Sequence, residues 1–244
     1  MCTLTYVPSK SGAIITSNRD EHEGRGDTKF PVEQKINNLK VVFPQDPKAG
    51  GTWIASASNN SVAVLLNGAF VKHKHRPPYR KSRGLVLLDF FKYQSVEDFK
   101  NHYELNDIEP FTIVSIKKNT VALVEEFRWD GKKKYLTELD AEIPHIWSSA
   151  TLYSPEVILE RRHWFSEMLT SENISPKKMQ HFHEFGGKSD SKNNFKMDRG
   201  NGLRTISISQ IKIGRQKSNF EYRNFVNNTS EKTTLKTNIF VSGE

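Results

Sequence analysis

Residues 1–21 read MCTLTYVPSKSGAIITSNRDE, and this stretch decides the fold. It contains two strand-like apolar runs, Thr3–Val7 and Ala13–Ser17. The residues between them, Pro8–Gly12, are of the types that favour a turn. The stretch therefore predicts an antiparallel hairpin whose open end carries both the start of the chain and the charged sequence that follows the second run.

The register of this hairpin is predicted from its turn. Pairing Val7 with Gly12 puts Cys2 opposite Ser17, beside the sequence Asn18–Glu21. A nearby arginine lowers a thiol pKa by its charge, and a nearby aspartate can orient an α-amine. The predicted hairpin thus surrounds Cys2 with groups that would activate it.

Cys2 is the only cysteine, which excludes an intramolecular disulfide and a cysteine-rich zinc module. Methionine before a small residue is normally removed, so we expect Cys2 to carry a free α-amine. That amine, with a reference pKa of about 7.7–8.0, can accept the proton of a thiol whose reference pKa is about 8.5. Position alone favours the alternative that Cys2 is a small buried apolar side chain.

Strands at both ends of the chain flank helices in the middle, which predicts one α+β domain over residues 1–244. Beyond the hairpin, the predicted strands are Leu39–Phe43, Thr52–Ala57, Ser61–Leu66, Phe111–Lys117, Thr120–Trp129, Tyr135–Leu139, Thr205–Ile213, Phe220–Asn227 and Leu235–Val241. The predicted helices are Gly84–Tyr93, Ser95–Leu105, Ser154–Leu169 and Lys177–Phe185. Gly186–Gly202 is polar and is predicted to be a mobile loop.

Composition and charge limit the classes of protein and partner that are possible. No apolar stretch approaches the roughly 20 residues of a membrane-spanning helix, and the start lacks the features of a signal peptide, so we predict a cytoplasmic protein. The net charge of +8 favours an anionic partner. The basic run Lys72–Arg83 is either a solvated loop or the rim of a pocket for a small anionic ligand. Only Tyr79 interleaves with its charges, which disfavours nucleic acid.

No metal or other cofactor is predicted. His181 and His183 are two residues apart on a predicted helix and point about 200° apart, which is poor for chelation. His73 and His75 can share one face of an extended segment, so a metal or haem role there stays open. Glycine-rich phosphate-binding motifs are absent.

Several motifs resemble those of the NRDE family, also called the transport and Golgi organisation 2 family. Met1-Cys2 followed by Asn18-Arg19-Asp20-Glu21 is the most specific of them. The weaker similarities are Arg25, Asp46 with Gly50–Trp53, Leu66–Gly68, Ser82–Gly84, Trp147–Ala150 and Arg204–Ile211. The resemblance therefore touches most of the chain.

The resemblance implies an N-terminal nucleophile hydrolase fold, a four-layer αββα sandwich of two antiparallel sheets. It also implies kinship to the choloylglycine hydrolase and penicillin V acylase group, in which an N-terminal cysteine attacks non-peptide amides. The expected function is hydrolysis of a small amide. The alternative is a non-enzymatic family member that binds and traffics haem or a lipid-like metabolite.

The resemblance also implies site residues. Cys2 would be the nucleophile, with Arg19 and Asp20 in support. Asn67 would donate to the oxyanion, unless it is a plain turn residue, and Arg204 would be a second positive group behind the nucleophile, unless it is surface charge. Ser149 stands where many relatives carry asparagine, which puts efficient hydrolysis in doubt because one lost oxyanion donor costs roughly 10²–10³ in rate.

Overall fold

The computed structural model describes residues 3–119, 121–170, 173–188 and 190–237. Cys2 lies outside the described residues, as do Thr120 at the start of one predicted strand and the end of the predicted strand Leu235–Val241. Within the described ranges, two antiparallel sheets lie face to face and each carries helices on its outer side. This is the expected αββα sandwich.

The elements follow one another along the chain as strands, then helices, then strands. The strands are β1 (Thr3–Ser9), β2 (Gly12–His22), β3 (Lys29–Ile36), β4 (Leu39–Gln45), β5 (Ile54–Ala57), β6 (Ser61–Asn67), β7 (Phe111–Lys118), β8 (Ala122–Trp129), β9 (Lys134–Leu139), β10 (His145–Ser148), β11 (Leu203–Ile213), β12 (Lys217–Asn224) and β13 (Thr229–Lys236). The helices are α1 (Arg83–Phe90), α2 (Val96–His102), α3 (Pro155–Leu169) and α4 (Pro176–Phe185).

Each sheet buries both faces of its central strands, whereas strands towards its edges keep one face exposed. The first has the order β10-β1-β2-β11-β12-β13, and the second runs β3-β4-β5-β6-β7-β8-β9. Side chains alternate across the first sheet, so that Leu4 and Tyr6 pack between the sheets while Thr5 and Val7 face α3 and α4. Helices α1 and α2 cover the outer face of the second sheet.

The helix starts follow the sequence signals. The hydroxyls of Ser82, Ser95, Ser154 and Ser175 each accept a hydrogen bond from a backbone N–H in the first turn. Proline occupies the first helical position of α3 and α4, where its missing N–H removes no intrahelical bond. None of the described helices is long and apolar enough to cross a membrane.

The hairpin is confirmed, but its predicted register is wrong. Val7 pairs with Ile14 and Ser9 with Gly12, so the turn is the two residues Lys10 and Ser11 and is shorter than predicted. Thr3 therefore pairs with Asn18, and Leu4, not Cys2, lies opposite Ser17. The charged sequence after Ser17 still reaches the end of the hairpin where the chain starts.

Other differences come from polar sequence that forms buried or edge structure. Strands β3 and β10 were not predicted: β3 is an edge strand with several exposed residues and a proline, and β10 has only four residues. The last strand, β13, begins at Thr229 and not at Leu235. The described residues of Gly186–Gly202 are largely without helix or strand, as expected for a loop, but Phe195 and Met197 anchor them in the core.

Candidate functional site

A cavity of about 590 Å³ opens where the ends of β2, β4 and β6 meet the start of α1. Its lining includes Arg19, Asp46 and Asn67, which come from three of the quoted sequence motifs. Arg83 and Glu109 also line it. The fold therefore collects motifs that are far apart in sequence around one space.

Arg19 is buried and held from several sides. Its guanidinium donates to the carboxylate of Asp46 and, at 2.9 Å, to the hydroxyl of Thr28. The same group lies over the ring of Trp53, 3.9 Å from the ring centroid. Burial lowers the pKa of Arg19 below its ordinary value, and the charge of Asp46 acts in the opposite direction. The result is a fixed positive charge at the cavity wall.

Asp46 is the hub of this wall. Its Oδ2 accepts from Arg25 Nε at 2.9 Å as well as from Arg19. Its Oδ1 accepts from the backbone N–H groups of Lys48 and Ala49, at 3.1 and 2.8 Å. Burial raises the pKa of Asp46, but these hydrogen bonds and the two arginines hold it below its ordinary value. Asp46 therefore stays ionised and keeps Arg19 in place.

Two glycine motifs pack backbone against backbone beside the cavity. A Cβ on Gly51 would lie 2.4 Å from the carbonyl carbon of Gly84, and Thr52 N donates to Gly84 O at 3.1 Å. Only glycine permits this approach. The contact fixes the start of α1, and with it Arg83, against the turn that follows Asp46.

Asp20 faces the other way. Because successive side chains alternate along a strand, it points towards the helical layer and not towards the cavity. There it accepts hydrogen bonds of 2.5 Å from the hydroxyls of Tyr153 and Thr205. Arg19 and Asp20 thus lie on opposite faces of β2, at the end nearest the chain start.

Asn67 and Ser149 are brought together, with Asn67 at the cavity. The Ser149 hydroxyl donates to the backbone oxygen of Asn67 at 2.8 Å, and Thr151 Oγ1 lies 3.1 Å away. Ser149 is buried and does not line the cavity, whereas Asn67 does. In this arrangement the serine hydroxyl orients the strand end that carries Asn67.

Arg204 is not brought to the cavity. Its Nη2 lies 2.8 Å from Glu23 Oε2, and its side chain is about one-third exposed. It lines a separate small cavity on the outer side of β11. Arg19 and Asn67 therefore line the same cavity, whereas Arg204 lies outside its lining.

The family model for transport and Golgi organisation 2 matches residues 1–236. The chain belongs to this family. No curated protein matches the sequence significantly. The family assignment agrees with the quoted motifs, five of which contribute residues to the cavity lining of this transport and Golgi organisation 2 protein.

Solved structures give the fold of this family member. A Caenorhabditis elegans orthologue of N-acylethanolamine-hydrolyzing acid amidase matches with a TM-score of 0.58 and 13% identity, over 86% of this chain and 92% of that one. A variant of the conjugated bile acid hydrolase of Clostridium perfringens matches with a TM-score of 0.52 and 11% identity, over 100% of this chain and 99% of that one. Penicillin V acylase of Agrobacterium tumefaciens matches with a TM-score of 0.53 and 11% identity, over 99% of this chain and 93% of that one. At these identities the likeness shows the N-terminal nucleophile hydrolase fold.

Sequence reasoning missed the role of Glu109. Its Oε2 lies 2.9 Å from Arg83 Nη2, and its Oε1 lies 3.1 Å from His73 Nε2 and 3.0 Å from His75 Nδ1. Burial raises the pKa of Glu109, but Arg83 and the two histidines hold it below its ordinary value. The acid joins the basic run to the cavity wall. No group of three or more potential metal ligands occurs among the described residues.

A buried histidine was also missed as a partner of the NRDE sequence. His183 Nδ1 lies 2.5 Å from Asn18 Oδ1, and its Nε2 lies 2.7 Å from Thr5 Oγ1. Asn18 Nδ2 donates to the carbonyls of His183 and Phe195. The asparagine therefore links β2 to α4 and to the loop beyond it. The helical spacing of His181 and His183 gave no hint of this contact.

Proposed function

We propose that this protein is an N-terminal cysteine hydrolase that acts on a small non-peptide amide. One observation carries the proposal: Thr3 pairs with Asn18. Because Cys2 directly precedes Thr3 in the sequence, we infer that its thiol is close to the end of β2 that bears Arg19. The fold shared with amide-hydrolysing enzymes supports the same function.

The alternation of β1 supports a cavity-facing thiol. Leu4 and Tyr6 face the space between the sheets, whereas Thr5 faces the helical layer. If the same alternation extends back to Cys2, its side chain faces the interior, as Arg19 does. The positive charge of Arg19 would then favour the thiolate.

The proposed reaction begins with removal of Met1. The Cys2 thiol passes its proton to its own α-amine, and the thiolate attacks the amide carbon. The Asn67 side chain donates to the oxyanion, and the α-ammonium protonates the leaving amine as the C–N bond breaks. Water then cleaves the thioester, which releases the acid and restores the thiol. Asp20, fixed by Tyr153 and Thr205, is proposed to support the nucleophile from the opposite face of β2.

The test is a mass and turnover measurement on the full chain. We expect an intact mass without Met1, and a thioester on Cys2 after incubation with an N-acylethanolamine, a conjugated bile acid or penicillin V. Cys2→Ser should abolish release of the amine. Asn67→Ala should lower kcat by about 10²–10³, because it removes the proposed oxyanion donor.

Asn38→Ala is the matched control, since Asn38 is exposed and lies away from the cavity. Its turnover should equal that of the wild type. Retention of Met1, or turnover that survives Cys2→Ser, would contradict the proposal. The resemblance places Arg204 behind the nucleophile as a second positive group, and this stays a prediction. In the described residues its guanidinium pairs with Glu23.

A second candidate function is favoured by Ser149. Its hydroxyl donates to the Asn67 backbone and lies outside the cavity lining, so it offers no donor to an oxyanion there. A carrier of haem or a lipid-like metabolite needs the cavity but not the chemistry. Equal ligand binding by wild type and Cys2→Ser, with no turnover across the amides above, would support the carrier.

A further inference from the structure

A segment without helix or strand, which we call the strap (residues 70–80), crosses the surface beside the cavity. It begins with two exposed apolar side chains: Phe70 is 53% exposed and Val71 is 74% exposed. Phe70 packs edge-on against Tyr135, which is itself 38% exposed, with ring centroids 5.0 Å apart. The guanidinium of Arg128 lies over the Phe70 ring, 4.8 Å from its centroid, but all three side chains remain more than one third exposed and form an apolar surface patch.

The strap next presents three cations to solvent. Lys72, Lys74 and Arg76 are exposed, and none of them forms an ion pair with another described residue. The residues between them, His73 and His75, turn to Glu109 instead. The histidines thus fix the strap in the orientation that leaves its cations unneutralised.

The strap is also part of the cavity. His75 and Tyr79 line it, and their rings lie 5.3 Å apart. The strap is tied down at both ends, by Arg128 donating to Ala69 O and by Arg80 N donating to Asp107 O at 2.9 Å. Any partner surface that binds the strap would therefore lie beside the opening of the cavity.

We propose that the strap binds an anionic lipid surface. Exposed apolar side chains directly followed by unpaired cations match an interface that is apolar below a layer of negative headgroups. Val71 and Phe70 would enter the headgroup boundary, and Lys72, Lys74 and Arg76 would meet the anionic groups. This docking goes beyond the proposed hydrolysis and does not depend on it, since the cavity can receive a membrane-derived molecule with or without cleaving it.

The experiment is co-sedimentation of the full chain with vesicles. One set is phosphatidylcholine, and the other contains about one third phosphatidylserine. We expect binding to the anionic vesicles only, weakened by salt. The variant K72E/K74E/R76E should bind at least about 100-fold more weakly, because each basic residue near such a surface contributes about a factor of five. F70S/V71S should bind about 10-fold or more weakly without losing the salt dependence.

The matched control is K212E/K217E/K236E, which makes the same charge change with exposed lysines at the far end of the first sheet. It should bind nearly as well as the wild type. Wild-type binding to neither vesicle set, as for a strap that docks an acidic protein, would overturn the proposal. Equal loss in the control and strap variants would also overturn it, because net charge alone would then explain the binding. Circular dichroism of each variant confirms that the fold is retained.

Discussion

Residues near the chain start are buried together with their hydrogen-bond partners. Asn18 uses both hydrogens of its amide nitrogen on the carbonyls of His183 and Phe195, so its oxygen must accept from His183 Nδ1. His183 Nε2 then accepts from the hydroxyl of Thr5. The histidine is thus held as the neutral tautomer with its proton on Nδ1.

This neutral state predicts an acid-dependent stability. Burial, and secondarily the charge of Arg161, lower the pKa of His183 from 6.5 to about 3. The unfolded chain binds this proton below pH 6.5 and the folded chain does not, so stability falls as the pH drops through that window. Between pH 6.5 and 5 the loss should be about 2 kcal/mol in the free energy of unfolding.

Denaturant titrations at several pH values measure this effect. His183→Gln should be less stable at pH 7 but should lack this part of the pH dependence. His163→Gln is the control, because His163 is 66% exposed and should leave the wild-type slope unchanged. A His183→Gln slope equal to that of the wild type would assign the acid sensitivity to other groups.

At the scale of elements, the hairpin shows what the sequence can predict. Both strands were found from their local apolar pattern, but β2 was predicted to end at Ser17 and in fact continues to His22. Asn18, Arg19 and Asp20 are polar, and a polar run is usually a loop. They are buried here because partners far along the chain satisfy them, and local sequence does not contain those partners.

The same limit applies to the site. The motifs around Asp46 and Arg83 were recognised, yet their contacts to Arg19 and Glu109 join different elements and were not predicted. The expected place of Arg204 behind the nucleophile stays a prediction, and the ion pair that its guanidinium forms with Glu23 was not predicted. Residue type and spacing thus identified candidates, whereas the sheet pairing decided which of them meet.

The glycine contact gives a prediction for an element boundary. Gly51→Ala should destabilise the protein by about 1–3 kcal/mol, because the new Cβ meets the backbone of Gly84 and not a side chain that can move. Gly24→Ala is the matched control, since nothing lies within 4 Å of its Cβ position. The midpoints of urea unfolding compare the two. Equal midpoints would show that α1 can move away from the turn without cost.

At the scale of the whole molecule, the two sheets are joined at the cavity by charge. Arg19 belongs to β2 of the first sheet, whereas Asp46 and Trp53 flank strands β4 and β5 of the second. Most of the interior between the sheets is an apolar cluster, although the buried hydroxyls of Ser56 and Ser218 also meet across it at 2.9 Å. This end of the sandwich therefore depends on an ion pair that is almost fully buried on both sides.

Removing the acid from this pair should loosen the two sheets at that end. Asp46→Asn removes the carboxylate that pairs directly with the buried Arg19 and should cost about 3–5 kcal/mol in the free energy of unfolding. Glu33→Gln breaks the exposed pair with Lys40 and should cost less than about 1 kcal/mol. Arg19→Met added to Asp46→Asn should restore part of the loss, because the uncompensated charge is gone.

The pH dependence gives the same pair a second signature. Since the pKa of Asp46 is held below its ordinary value of 3.8, its stabilisation is full above that value and disappears as the pH falls through the lowered pKa. Asp46→Asn should therefore remove a loss of stability below about pH 4, whereas most of the His183 window, from pH 6.5 to about 3, lies above it. Thermal unfolding from pH 7 to 2 measures both. If Asp46→Asn lowers the free energy of unfolding no more than Glu33→Gln does, the apolar faces alone hold the sheets together. The Arg19–Asp46 ion pair then contributes nothing to stability, and its role is confined to the cavity.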